Sequence, residues 1–178
     1  MVVGKTGRGA RLTIRHATLA ALPLIAGFAA ARASWCVGLG SLGPIRTGMP
    51  VEQVLTMADF SGLERRQTPG DCWYLRYRAG GADFDLMILG GKVARIELNG
   101  ASTLRTLSGA AIGSSEAQLR DFYGGIDRQP AKYDPAGYTL TWRAPGSDYG
   151  LRFETSKGRV TAIQSGPWEH LRYVEGCG

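Results

Sequence analysis

Two carboxylates two residues apart, Asp83 and Asp85, are the nearest approach in this sequence to an acid/base pair. On a strand they share one side, as the paired carboxylates of a glycosidase could. Arg76, Arg78 and Arg95 are their expected neighbours, so the expected role of the pair is ion pairing. Past residue 33 the sole histidine is His170, and no G-x-S-x-G elbow accompanies it, which disfavours a Ser-His-Asp or Cys-His hydrolase. Zinc lacks ligands, because there is no C-x-x-C and no H-E-x-x-H. Gly38-Leu39-Gly40-Ser41-Leu42-Gly43 spells the dinucleotide fingerprint G-x-G-x-x-G, but Pro44 follows it where a helix would have to receive the pyrophosphate. That stretch is read as a flexible lead-in. No catalytic residue, metal or cofactor is expected.

The 178-residue chain carries a net charge of +6, which invites a nucleic-acid reading. Position removes it: five of the 21 basic residues (Lys5, Arg8, Arg11, Arg15, Arg32) and no acid lie in residues 1–33, leaving 16 basic against 15 acidic. Residues 1–33 have the parts of a secretory signal, with a basic region to His16, an apolar run Ala17 to Ala31, and Ala31-Arg32-Ala33 before Ser34. The run is short for a bilayer span, so cleavage and a periplasmic or secreted product are expected, with membrane contact through the leader alone. Trp35 precedes Cys36, where lipoprotein cleavage wants a small residue. Export permits disulfides, and three cysteines allow three pairings. Cys72 with Cys177 is favoured, because it would hold the end of the chain onto an early strand.

The elements that would position these residues recur. Gly48 maps to Gly113, and Cys72-Trp73-x-Leu75-x-Tyr77 to Gly137-Tyr138-x-Leu140-x-Trp142. Asp83-Phe84-x-Leu86-x-Ile88 maps to Asp148-Tyr149-x-Leu151-x-Phe153, all at an offset of 65 residues. Gly91-Lys92-Val93-x-x-Ile96 maps to Gly158-Arg159-Val160-x-x-Ile163 at an offset of 67. Pro50 opens a helical spacing of Val51, Val54, Leu55 and Ala58, and Ser114 is placed to cap a second helix through Leu119 and Phe122. Residues 72–78, 83–89, 92–98, 137–143, 148–155 and 159–164 alternate with period two between glycine-rich turns, and His170 to Val174 reads as a final strand. The predicted fold is α+β: after the leader, residues 34–110 and 111–178 form two tandem helix-plus-antiparallel-hairpin repeats, making one sheet with the helices packed on one face.

Alternation divides that sheet into an apolar face, with Trp73, Leu75, Tyr77, Phe84, Leu86, Ile88, Tyr138, Leu140, Trp142, Tyr149, Leu151 and Phe153, and a polar one that includes Asp83, Asp85, Arg95, Glu97, Thr139, Thr141 and Glu154. Two readings of the polar face stand: a solvated face laced with ion pairs, or a recognition surface. On the second reading Tyr74, Arg76, Arg78, Asp85, Arg143 and Arg152 contact a partner, arginine and tyrosine being the types that anchor protein interfaces.

Gly48-Met49-x-x-x-x-Val54, Trp73-Tyr74, Phe84-x-Leu86-x-Ile88 and Gly91-Lys92-Val93-x-x-Ile96 resemble the envelope group containing the SmpA/BamE outer-membrane assembly lipoproteins. The tandem duplication resembles the secreted β-lactamase inhibitor proteins, over roughly residues 43–166. The resemblance implies that a concave sheet face grips a target protein, through positions corresponding here to Tyr74, Arg76, Arg143 and Arg152. The expectation is an exported, non-enzymatic binding module for an envelope or extracellular protein, with glycan binding as the alternative.

Overall fold

The computed structural model describes residues 1, 2, 4, 35–57, 62–66 and 70–177. The expected leader falls almost wholly outside them. Among the described residues there are twelve strands: β1 Cys36–Gly38, β2 Ser41–Leu42, β3 Ile45–Arg46, β4 Glu64–Arg66, β5 Cys72–Tyr77, β6 Phe84–Leu89, β7 Lys92–Asn99, β8 Arg105–Thr106, β9 Asp127–Pro130, β10 Gly137–Arg143, β11 Tyr149–Ser156 and β12 Arg159–Pro167. Three short helices accompany them: α1 Val51–Leu55, α2 Glu116–Phe122 and α3 Trp168–Leu171.

The α+β helix-plus-hairpin prediction is wrong. Among the described residues 45% are in strands and 12% in helices, arranged as one sheet of eight strands and one of four. The reason is helix length. α1 has five residues and is capped by Thr56, and α2 has seven and is capped by Tyr123, so neither can cover an eight-stranded sheet. The rest of that cover comes from the sheet ordered β3-β2-β1-β8, whose Val37, Leu42 and Ile45 are buried in the same core as Val51, Val54 and Leu119. Residues 38–43, expected as a flexible lead-in, supply the turn and second strand of the β1–β2 hairpin. Gly40 turns it at φ +67°, and the Ser165 hydroxyl pins it, accepting from Gly40 N (2.8 Å) and donating to Gly38 O (2.5 Å).

The large sheet runs β4-β5-β6-β7-β12-β11-β10-β9, every neighbour antiparallel. β7 and β12 meet at its centre, and the two sides make equivalent backbone contacts. Gly48 and Gly113 both adopt φ +85°; their N–H groups donate to Val93 O (2.7 Å) and Val160 O (2.8 Å). Ala94 and Thr161 are each the unpaired extra residue at a register shift, 67 residues apart. Pairing also relocates the two-residue slip. Leu86 lies opposite Ile96 and Phe153 opposite Ile163, so Leu86 corresponds to Phe153 and the slip sits in the first hairpin of each half.

The apolar face behaves as alternation demands: Leu75, Tyr77, Phe84, Leu86, Ile88, Leu140, Leu151 and Phe153 are buried in one continuous core. Tyr123 packs on both Trp142 and Phe153 there, at ring-centroid distances of 5.1 and 5.3 Å.

Candidate functional site

Period-two alternation puts one polar residue from each of the eight strands into a single transverse row. Glu64, Arg76, Asp85, Glu97, Gln164, Arg152, Thr141 and Asp127 lie directly opposite one another from β4 across to β9. An open polar face would leave these groups in water, yet Asp85 and Arg152 are 4% exposed, Glu97 8%, and the neighbouring Arg95 only 1%.

The cover over the centre is the chain's own C-terminal segment. After β12, α3 turns back over the sheet, replacing the strand expected at His170 to Val174, and residues 172–177 continue to the disulfide between Cys177 and Cys72. The pairing is the one expected, with Cα atoms 5.2 Å apart, and the exposed Cys36 takes no part in it. Helix α3 ends with carbonyls aimed at buried cations. Arg95 Nη1 donates to His170 O and Tyr173 O, both at 2.9 Å, and Arg152 Nη1 donates to Leu171 O at 3.2 Å. Cys177, Met87 and Ala94 form a small apolar cluster beneath the tail.

Three of the expected contact residues form one group. Asp85 accepts from Arg76 Nε (2.9 Å) and Nη2 (3.0 Å), from Arg78 Nη2 (3.2 Å) and from Asn99 Nδ2 (3.2 Å). Burial alone pushes the Asp85 carboxyl up, but the hydrogen bonds from Arg76 and Arg78 outweigh it and hold it below the ordinary carboxylate value. Such a carboxylate is unsuited to donate a proton near neutrality. Glu97, beside it, is shifted the other way: burial raises it despite Arg95 Nε at 2.8 Å.

Tyr74, Arg143 and Arg152 do not join that group. Tyr74 lies beneath the tail, 3.5 Å from Arg95 Nη2; burial pushes its hydroxyl up. Arg143, at the far end of β10, pairs with Asp148, donates to Ser147 O (3.0 Å) and lies 5.7 Å from the Trp168 ring. Arg152 is under α3, with Nη2 on Glu154 Oε1 at 3.1 Å and a buried Nε that has no acceptor. Burial draws its guanidinium below the ordinary value. The six expected residues are thus split between a clamp, a covered strip and a rim.

What stays open is a groove of about 470 Å³ over the β9–β11 side of the same face. Thr139, Thr141 and Arg152 form its sheet floor, the β9 edge and Lys132 line one side, and Trp168, Leu171, Arg172 and Val174 the other. Thr139 and Thr141 were legible by alternation. Trp168 and Arg172 were not, because their place depends on the chain reversing after Pro167, and proline before Trp168-Glu169-His170-Leu171 was the available signal. Among the described residues no group of three or more His, Cys, Asp or Glu side chains is arranged to hold a metal, and no helix is long and apolar enough to cross a membrane. Comparison with protein families and with curated proteins finds no match for the chain.

Proposed function

We propose that the chain is an exported, non-enzymatic binding module that recognises a protein through its polar sheet face, at the strip between β9 and the C-terminal segment. The observation that carries this reading is the contrast within one face. Its central charges are consumed by Arg76–Asp85, Arg95–Glu97 and the tail, while the β9–β11 side keeps a groove floored by rigid strands and walled by an indole. A sheet floor holds its side chains in place before any partner arrives, which lowers the ordering cost of binding. Trp168 in the groove wall and Arg143, 5.7 Å from its ring, are of the residue types that dominate interface energetics. The disulfide is weakly consistent with an oxidising compartment, and a periplasmic or secreted location is part of the proposal.

Glycan binding is the second reading, favoured by Trp168 beside the Thr139 and Thr141 hydroxyls, an aromatic platform next to polar groups. Affinity capture from a cell-envelope extract tests both. A protein retained by the wild type and lost with Thr139→Trp, which fills the groove floor, supports protein recognition. Release by a simple sugar assigns the groove to glycans instead, and identical capture by both chains means that the groove is not where a partner binds.

A further inference from the structure

Resting on the groove reading above, we propose that this groove takes an acidic peptide segment, seating one carboxylate on Arg152 between Lys132 and Arg172. Charge complementarity carries the argument. The lining residues include three cations, Lys132, Arg152 and Arg172, against the single acid Asp127. Arg152 is the decisive one. A guanidinium has five N–H donors, and here Leu171 O and Glu154 Oε1 take two, while Nε is buried without an acceptor. Its ion-pair partner Glu154 has a side chain 39% exposed, and the buried Glu97, already paired with Arg95, adds only a through-space attraction, so a nearly buried cation is compensated in part by a carboxylate open to water. A buried charge in that position gains from a second anion.

The chain itself supplies a precedent at the rim. Glu175, on the tail, places a carboxylate 2.5 Å from Lys132 Nζ and also accepts from the Tyr133 hydroxyl. Both side chains of that ion pair are more than half exposed, and solvent screening leaves an exposed pair of this kind only weakly held. A ligand carboxylate can displace it. Trp168, Leu171 and Val174 add an apolar wall suited to the aliphatic part of a peptide, which inorganic anions would leave unused. Nucleic acid does not fit, because the chain beyond residue 33 is nearly neutral, with 16 basic and 15 acidic residues.

The test is a titration of the 15N-labelled chain, disulfide intact, with hexaglutamate, followed by NMR, with hexaglutamine and hexalysine as controls. Saturable shifts are expected at the Lys132, Thr139 and Thr141 amides and the Trp168 indole N–H. Binding should weaken as salt is added and fall by about tenfold or more in Lys132→Glu/Arg172→Glu. Both substituted side chains are exposed, so the variant's amide spectrum serves as its own check of folding. An equal response to hexaglutamine, shifts mapping elsewhere, or no shift at millimolar hexaglutamate overturns the acidic ligand. If Thr139→Trp still abolishes protein capture in that case, the recognition reading stands without it; if hexaglutamate binds and capture is unaffected, the converse holds.

Discussion

Asp85 and Glu97 face each other across β6 and β7, and burial affects both, yet only Asp85 has two arginines to overcome it. Their contributions to stability therefore have opposite signs. A carboxyl held below its unfolded value of roughly 4 stabilises the fold above that pH and loses the contribution as pH falls through its folded value. For Glu97, raised by burial, stability instead declines as pH climbs from the unfolded value through the folded one. Asp85→Asn should cost about 1.5–3 kcal/mol near neutrality, the scale of hydrogen bonds to a charged group. Denaturant titrations should show the gap to wild type closing as pH drops below about 4. A gap constant from about pH 7 to 3 would mean that the Asp85 charge is not what the arginines stabilise. The neighbourhood of Asp85 was legible in the sequence, because alternation and cross-strand pairing bring Arg76 opposite it. Its near-complete burial was not.

Burial at the centre of the sheet, over Arg95 and Arg152, is set at the level of the element. A solvated polar face was a fair expectation for an antiparallel sheet, and it failed because the last ten described residues lie on that face. The Cys72–Cys177 bond was readable from two cysteines placed at a strand start and a chain end. The conformation between them was not, because His170 to Val174 alternates like a strand while Arg95 and Arg152 recruit its carbonyls as the end of a helical turn. The tail should be the part that depends on the bond. Cys72→Ser/Cys177→Ser should lose up to ~4.7 kcal/mol on the chain-entropy view of a loop of about a hundred residues. Amide exchange should rise first at Tyr74, Arg95 and residues 172–177, ahead of β11; uniform acceleration across both sheets would contradict a local strap. Gly176 gives a finer probe. It sits at φ +61°, and a Cβ there would fall on the Tyr74 hydroxyl. Gly176→Ala should cost more than the ~1 kcal/mol of a left-handed alanine, with Tyr74→Phe recovering part of the excess in thermal melts. No recovery would place the tail elsewhere.

On the scale of the whole molecule, the glycines Gly48 and Gly113, which share φ +85°, and the alternating strands on either side of them were legible in the sequence. The fold class was misread because short apolar spacings after Gly48 and Gly113 were taken as helices long enough to form a layer. They stop after one or two turns, and glycine-punctuated hairpins from residues 36–46 close much of the core instead. The molecule thus has two unlike outer surfaces: the small sheet with its helices, and the polar face divided between strap and groove. Recognition is proposed to belong to the second. Capture from an envelope extract with two single-site variants puts it to the test directly, one being Thr139→Trp on the groove floor and the other Arg105→Glu, exposed on β8 of the small sheet. A partner held by the wild type should be lost with Thr139→Trp and kept with Arg105→Glu. Loss with Arg105→Glu and retention with Thr139→Trp would place recognition on the opposite side of the protein and contradict it.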